Sequence, residues 1–434
     1  MPPQRVLFGL LKPSFGGHTR TAVAVAEVLR DRGYTIDFLV HESTDAKGAD
    51  PTSVTASLIH AAGFGVVPIA GPYARPGQRS FRRNLSDLLH RCPYDALHWF
   101  EEHGLRDAAL VAAAERCAFV WTFTSGGLPV GYCGLNSVVV FTREVAEDVR
   151  RRSPRTVVHV VPARFDFRPL DSQFVQSARR DIRHRFSVGD RDLLIVRVAR
   201  CTSVYLRSVR LGIELATRLS RAGRPAMFLH AGYVEDPEVA LEIRRAVEQA
   251  NIAASRPIAY SVADGVEIGT RYAAAADLCV ASGRSAIEAL ALERPTLVAW
   301  GSRYLGMVDD ENIQTFAATN FQGRNSEVVS DDDVVSRMYD AVCLRLTEPA
   351  QDAGTRARCA RFIRQHYSVE SAADTYEGLY ADRTVTVDGF LKHYSNPRHI
   401  GREVFHRLPT SVRFSRPLRF LSRRRFWPGL PRND

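Results

Sequence analysis

The segment Ala276–Trp300 has the residue pattern of a phosphate-binding turn. It predicts, in order, a strand over Asp277–Ser282, a tight turn at Gly283, a helix from Arg284 to about Glu293 and a strand over Pro295–Trp300. A helix that begins directly after a strand leaves backbone N–H groups unpaired in its first turn, and the helix dipole adds positive potential there. We therefore expect a phosphate site at Ser282, Gly283, Arg284, Ser285 and Ala286.

Glu288 lies about one turn inside this predicted helix. From there its carboxylate could accept hydrogen bonds from a ribose diol, as an acidic residue does in dinucleotide-binding folds. A second interpretation is purely structural. Ser285 and Glu288 match the S-x-x-E capping box, in which both side chains only satisfy backbone groups at the helix start. The segment alone leaves both interpretations open.

A second glycine loop follows the first predicted strand of the chain. Strand Val6–Leu10 leads through this loop into an amphipathic helix from about Thr19, which stops at Gly33, and strand Thr35–Val40 follows. This is a β-α-β unit, and such alternation predicts a parallel sheet flanked by helices. Ligands of such sheets bind at the carboxyl ends of the strands, so Gly16, Gly17 and His18 are candidate ligand-binding residues. For His18, an ordinary loop position is an equally good interpretation.

The same alternation continues and then restarts, which predicts two domains. After strand Val157–Val161 and a polar connection, a new series begins at strand Leu193–Val198. The prediction is an α/β protein with two Rossmann-like, doubly wound parallel-sheet domains that face each other across a cleft. Its parts are an N-terminal domain at 1–165, a C-terminal domain at 166–382 and a basic aromatic tail at 383–434.

Composition narrows the class of protein. The 434 residues are 45% hydrophobic and 24% charged, as in ordinary globular proteins, and no segment reaches the roughly 18 apolar residues of a membrane span. Seven cysteines without a C-x-x-C pair favour reduced thiols in a cytoplasm over a disulfide framework or a zinc site. The net charge is +10, and residues 383–434 carry twelve Arg or Lys against three acids. The rest of the chain is therefore nearly neutral.

Several motifs in order resemble the GT-B glycosyltransferases, most closely glycosyltransferase family 4. The resemblance covers about residues 5–380, and its motifs are Phe15–Thr19, Pro93–His98, Val139–Asp148, Val160–Pro169, Ile195–Arg200 and Arg361–Tyr380. It departs from the family at Val280, where most members have the first glutamate of a Glu-x7-Glu pair that ends, here, at Glu288. The lysine that usually follows the arginine strand is also missing, and Arg207 is a candidate substitute.

The resemblance implies transfer of a sugar from a nucleotide diphosphate sugar to a hydroxyl acceptor, with retention at the anomeric carbon. It implies that Arg200 and Arg207 bind the diphosphate, that His98 lies on the acceptor side of the cleft and that Glu288 orients the donor ribose. Two alternatives stay open: His98 as a hydrogen-bonded histidine at a strand end, and Arg207 as a surface cation of a helix. No cofactor is expected. No convincing metal-binding carboxylate cluster is visible, because Asp331–Asp333 are expected in the first turn of a helix, and we expect metal-independent transfer.

The tail gives the chain a candidate membrane contact. Residues 412–427 interleave arginines with Phe, Leu and Trp, a pattern suited to docking on an anionic membrane surface, and Arg75, Arg79, Arg82 and Arg83 form a second basic cluster. A glycan or lipid-linked acceptor in cell-envelope or exopolysaccharide assembly would fit a cytoplasmic enzyme peripheral to the inner face of the plasma membrane. A solvated tail is the alternative, and no nucleic-acid partner is expected because no binding motif accompanies the charge.

Two other functions are compatible with the same motifs. One is a GT-B nucleotide-sugar epimerase, which would consume its donor without an acceptor. The other is a non-catalytic donor-binding scaffold, which the loss of the first glutamate at Val280 makes worth testing. It would bind nucleotide without turnover.

Overall fold

The computed structural model describes residues 4–11, 16–41, 51–69, 81–124, 135, 137–254, 256–262, 269–300, 303–324, 326, 330–347 and 349–382. The tail at 383–434 lies outside the described residues, as do Arg75 and Arg79 of the basic cluster. None of the described helices is long and apolar enough to cross a membrane.

The first half of the chain builds a parallel sheet that, in the described residues, has five strands in the order β3-β2-β1-β4-β5. Its strands are nearly continuous apolar runs, as expected for a sheet covered on both faces. The elements in chain order are β1 (Arg5–Leu10), α1 (Gly17–Asp31), β2 (Thr35–His41), α2 (Pro51–Ala61), β3 (Gly65–Ile69), α3 (Phe81–Arg91), β4 (Ala96–Trp99), α4 (Leu105–Glu115) and β5 (Ala118–Trp121).

A short pair of parallel strands continues from the edge of this sheet. Its elements are β6 (Ser137–Val140), α5 (Arg143–Arg152) and β7 (Val157–Val160), and they are followed by α6 (Ser172–Arg185). Thr122 forms a bridge to Val139, so the pair extends the line of strands beyond β5. Thr142 is the N-cap of helix α5, because its hydroxyl accepts a hydrogen bond from the Val145 N–H.

The second half of the chain builds another sheet. Within the described residues it has six strands in the order β10-β9-β8-β11-β12-β13, all parallel except the last pair. The elements are β8 (Leu193–Val198), α7 (Ser203–Arg221), β9 (Ala226–Ala231), α8 (Pro237–Ile252), β10 (Ala259–Val262), α9 (Gly269–Ala275), β11 (Leu278–Ala281), α10 (Arg284–Ala291), β12 (Thr296–Trp300), β13 (Arg303–Met307), α11 (Ile313–Ala318) and α12 (Asp331–Thr347).

The chain then returns to the first sheet. Helix α13 (Pro349–Tyr367) packs on α10, and a 3₁₀ turn (Val369–Ala372) leads into α14 (Ala373–Ala381). Tyr376 and Tyr380 of α14 are buried in the core that also contains β1 and β2. The sequence placed residues up to 382 with the second domain, whereas this last helix packs on the first.

The predicted alternation agrees with these elements. Strand Leu193–Val198 has the predicted bounds, and helix α10 begins at the predicted Arg284. The first helix begins at Gly17, two residues before the predicted Thr19, and Gly33 behind it has the expected positive φ of 93°. The sheets occupy separate parts of the chain, and the predicted division at 165/166 falls between them.

His230 should make stability depend on pH. It is buried in β9, its Nε2 donates to the Ala199 carbonyl oxygen at 2.9 Å, and burial lowers its pKa to about 4. In the unfolded chain this histidine has a pKa near 6.5, so below that pH the unfolded state binds a proton that the folded state does not bind. The free energy of unfolding therefore falls by about 2 kcal/mol from this residue as the pH drops from 7 to 5. Between pH 7 and pH 5, the His230→Gln variant should lose about 2 kcal/mol less unfolding free energy than the wild type, as measured by urea unfolding. An equal loss in both proteins would contradict the assignment.

Candidate functional site

A cleft of about 520 Å³ lies between the two sheets. Its walls are the segments that follow the carboxyl ends of strands in both halves of the molecule, where doubly wound folds bind ligands. From the first half these are residues after β1, β4 and β5, namely Gly16, Gly17, Phe100, Glu101, Phe123 and Thr124. From the second half they are residues at or after β8, β9, β11 and β12, namely Ala199, Arg200, Gly232, Tyr233, Ser282, Gly283 and Trp300.

The turn at Gly283 has the conformation that only glycine adopts readily. Its φ is 57° and its ψ is −129°, and its N–H donates to the Phe321 carbonyl oxygen at 2.8 Å. The Ser285 hydroxyl is also engaged, since it donates to the Ser282 carbonyl oxygen at 3.0 Å. Among the described residues, no acceptor meets the N–H groups of Arg284 and Ser285. The turn therefore presents two backbone donors, fewer than the sequence suggested.

The capping-box interpretation of this helix is excluded. Gly283, not Ser285, is the residue that precedes α10, so Ser285 occupies the second helical position. The Glu288 carboxylate does not reach back to the helix start as a capping box requires. Its Oε1 accepts from Arg284 Nε at 2.8 Å and lies 3.9 Å from Arg20 Nη1 of α1. Glu288 is thus an ion-paired carboxylate at the wall of the cleft.

The two glycine loops meet across the cleft through Arg284. Its Nη1 donates to Thr21 Oγ1 at 3.3 Å, and its guanidinium lies 4.3 Å from the centre of the Phe165 ring. The approach is close enough that a Cβ atom added to Gly17 would lie 3.5 Å from Arg284 Cδ. The residues after β1 and β11, far apart in the chain, therefore line one site.

Arginines slightly outnumber acidic residues at this site. The cleft is lined by four arginines, Arg20, Arg164, Arg200 and Arg284, and by three glutamates, Glu101, Glu102 and Glu288. Burial lowers the pKa of Arg164 to about 9 and also lowers the pKa of Arg284, because desolvation disfavours the charged form. A bound anion would offset that cost, so the cleft is suited to a negatively charged ligand.

The two predicted diphosphate arginines differ in position. Arg200 lines the cleft, where its guanidinium pairs with Glu235. Arg207 does not line the cleft. It lies on α7 and pairs with Asp331 at the start of α12, which gives it a structural partner on the surface of the second domain. As predicted, Asp331–Asp333 form the acidic first turn of a helix.

A histidine–carboxylate cluster lines the first-domain side of the cleft. The nearly buried Glu101 has its Oε1 3.9 Å from His18 Nε2, and its Oε2 lies 3.7 Å from His103 Nδ1. His18, which the sequence left between ligand and loop residue, therefore lies in the cleft beside a carboxylate. Glu101 and His103 were not predicted.

His98 is not in the cleft, contrary to the role that the resemblance implied. It is fully buried under α14, where its Nδ1 lies 2.6 Å from the Tyr380 hydroxyl and its Nε2 lies 2.7 Å from Thr122 Oγ1. Burial also holds the pKa of His98 well below its usual value. His98 therefore ties β4 to the last helix. Ala286 is buried as well and does not line the cleft.

Other residues of the site were missed because their roles depend on long-range packing. Arg164 donates to the Asn320 side chain, and Asn320 and Gln322 line the cleft from the loop after α11. Arg197 lies buried in β8 below the Gly283 turn, where it donates to the Val280 carbonyl oxygen and to Ser282 Oγ at 3.1 Å each. Val280 itself is buried in β11. Within the described part of the chain, no cluster of His, Cys, Asp and Glu could hold a metal ion.

Comparisons with known proteins agree with this architecture. No protein-family model and no curated protein matches the sequence. A glycosyltransferase from Rickettsia africae has a TM-score of 0.65 at 12% identity, and the match covers 88% of this chain and 99% of that one. Alr3699/HepE of Anabaena, in complex with UDP-glucose, has a TM-score of 0.63 at 14% identity over 87% of this chain and 100% of its own. Sucrose-phosphate synthase from Thermosynechococcus elongatus has a TM-score of 0.58 at 16% identity, with coverages of 87% and 98%.

These neighbours are GT-B glycosyltransferases, and the chain has the GT-B fold. The predicted architecture of two Rossmann-like parallel-sheet domains is confirmed. At such identities the likeness establishes the fold, and the assignment to glycosyltransferase family 4 stays a prediction.

Gly283 should tolerate no side chain. We expect Gly283→Ala to lose about 1–3 kcal/mol of unfolding free energy, because alanine must adopt a backbone conformation that L-residues disfavour. Gly378→Ala is the matched control, since Gly378 is exposed in α14 with nothing within 4 Å of an added Cβ. That variant should be unchanged or gain up to about 1 kcal/mol. Urea unfolding measures both, and equal stability of the two variants would contradict the strain at Gly283.

Proposed function

We propose that the protein is a retaining, metal-independent glycosyltransferase that moves a sugar from a nucleotide diphosphate sugar to a hydroxyl acceptor. The observation that carries the proposal is the convergence of the two glycine loops on one arginine-lined cleft. The N–H groups of Arg284 and Ser285, the dipole of α10 and the Arg200 guanidinium all lie at this wall. Such an arrangement suits a diphosphate, whose charge grows as the bond to the sugar breaks.

Glu288 is proposed to bind the ribose of the donor. Both of its arginine partners approach Oε1, which leaves Oε2 as an acceptor for the ribose hydroxyls. The pair with Arg284 also holds the carboxylate in one orientation next to the phosphate-binding turn. Glu288 would then orient the donor and take no covalent part in the reaction.

The acceptor is proposed to enter from the first-domain side, beside His18 and Glu101. Their polar atoms could orient an acceptor hydroxyl toward the anomeric carbon. In a retaining transfer of this kind the hydroxyl proton passes to the leaving diphosphate oxygen as the new glycosidic bond forms on the same face. Charge on that diphosphate is stabilised by backbone N–H groups and arginines, which can do without a divalent ion.

Envelope or exopolysaccharide assembly is the proposed setting, with a glycan or lipid-linked acceptor and a cytoplasmic, membrane-peripheral location. The support is the charge of residues 383–434 and the aromatic residues interleaved with arginine at 412–427. We expect the full chain, but not residues 1–382, to sediment with vesicles containing anionic phospholipid. Equal sedimentation of the two would remove the membrane part of the proposal and leave the transferase part intact.

Nucleotide binding is the first test of the donor site. Since one GT-B neighbour is known in complex with UDP, UDP leads a thermal-shift panel with GDP, ADP, dTDP and CMP. A ligand at about 100 times its Kd adds about 2.7 kcal/mol of stability. We expect one nucleoside diphosphate to raise the Tm of the wild type and to raise that of Glu288→Gln less. A wild-type Tm that no nucleotide moves would contradict the proposal.

Turnover separates transfer from the two alternatives. With the matching nucleotide sugar, a transferase releases nucleoside diphosphate in proportion to the acceptor supplied and is insensitive to EDTA. An epimerase interconverts the donor without acceptor, and a scaffold binds without turnover. Proton NMR of the product should show the anomeric configuration of the donor. An inverted product would contradict retention and would make His18, beside Glu101, the candidate general base.

A further inference from the structure

The loop 319–324, between α11 and α12, has a strained backbone at the wall of the cleft. Asn320 and Phe321 have φ values of 55° and 56°, and Gly323 has a φ of 68°. Consecutive left-handed residues other than glycine are uncommon and persist only where their surroundings hold them. The loop is held at one end by the Phe321 N–H, which donates to the Phe316 carbonyl oxygen at 2.8 Å.

One side of this loop adjoins the phosphate-binding turn. The Phe321 carbonyl oxygen accepts the Gly283 N–H at 2.8 Å, so the loop fixes the turn directly. Gln322 lies close beside it, because a Cβ atom placed on Gly283 would be 3.6 Å from Gln322 Nε2. Gln322 also lines the cleft. Its amide is therefore within reach of a ligand bound at the two backbone donors of the turn.

The other side of the loop is tied to the first domain. Arg324 Nε donates to both carboxylate oxygens of Glu144, at 3.1 and 3.0 Å, and Arg324 Nη2 donates to Oε2 at 2.6 Å. Glu144 is in the first turn of α5, 180 positions earlier in the chain. A multidentate Arg–carboxylate pair fixes direction as well as distance. The pair therefore joins the two halves of the molecule at one edge of the cleft.

Arg324 also fixes the orientation of Gln322. Its Nη1 donates to the Gln322 side-chain oxygen. A guanidinium has only donors, so the amide atom that meets it must be Oε1, and the NH₂ group must point the other way. Because Glu144 holds Arg324, the position of the first domain determines where the Gln322 donor points.

We propose that Gln322 is a ligand of the donor diphosphate, with Arg324 and Glu144 as positioning residues that orient its amide through a contact between the two domains. The inference rests on the proposed function and adds a reason why the donor site requires both domains. The mechanism is non-covalent. The amide adds one hydrogen bond to the two backbone donors at Arg284 and Ser285, and loss of the Glu144 pair leaves the amide free to rotate away.

The first test compares UDP with UMP by calorimetry on the full chain. Gln322→Ala should weaken UDP binding about tenfold, the typical cost of one hydrogen bond to a charged group, and leave UMP binding unchanged. Glu144→Gln should weaken UDP in the same direction. Glu147→Gln is the matched control, because Glu147 is exposed on the same helix. A general loss of structure would weaken UDP and UMP equally and would count against the proposal.

A charge swap distinguishes a pair that orients the Gln322 amide from a pair that only holds the two domains together. Glu144→Arg combined with Arg324→Glu restores an ion pair between the domains, but a glutamate at 324 can only accept and would attract the NH₂ of Gln322. We expect the swap to recover the Tm lost in Arg324→Glu while UDP binding stays weak. If the swap recovers UDP binding as well as the Tm, the ion pair only holds the two domains together, and its orienting role is overturned.

The outcomes also separate this proposal from the function on which it rests. If the wild type binds none of UDP, GDP, ADP and dTDP, the proposed function fails and the Gln322 assignment fails with it. If the wild type binds UDP and Glu144→Gln binds it equally well, only the orienting role is overturned.

Discussion

The candidate site depends on one half-buried cation, Arg284. It follows the glycine turn of the second sheet, pairs with Glu288 and donates to Thr21 on the first helix of the other sheet. Removing much of an arginine from water is costly unless its donors are satisfied, and these partners come from both halves of the chain. The contact therefore holds the two glycine loops against each other. It also explains why Glu288 is an ion-paired carboxylate of the cleft wall and has no capping role.

Around that contact the arginines of the cleft differ in their partners. Arg20, Arg200 and Arg284 each lie beside a carboxylate, whereas no described carboxylate forms a salt bridge with Arg164. Arg164 is buried and lies 4.1 Å from the Phe141 ring centre, so aromatic faces and single side-chain acceptors take the place of a carboxylate. Arg197 supports the floor of the turn in a similar way. The hydrogen-bond donors that would contact a diphosphate are therefore already oriented in the folded protein. Such preorganisation lets a polar site stabilise developing charge.

The sequence predicted the local parts of this arrangement and missed most of the long-range ones. The turn at Gly283 and the alternation of strands and helices follow from patterns within about ten residues, and the structure bears them out. Of the two interpretations of His98, the structure selects the hydrogen-bonded strand-end histidine, because α14, more than 270 residues later in the chain, covers that strand end. Arg207 does not reach the cleft because it forms an ion pair with Asp331 on another helix. The loop 319–324 carries no recognisable motif, since its role arises from contacts with Gly283 and Glu144.

Hydrogen–deuterium exchange with and without UDP tests the central claim, that one anionic ligand is bound by both glycine loops at once. The account predicts slower exchange on UDP binding in two separate peptides, one covering residues 16–21 and one covering residues 282–288. Protection confined to one of these segments, or located elsewhere in the chain, would contradict a shared site in the cleft.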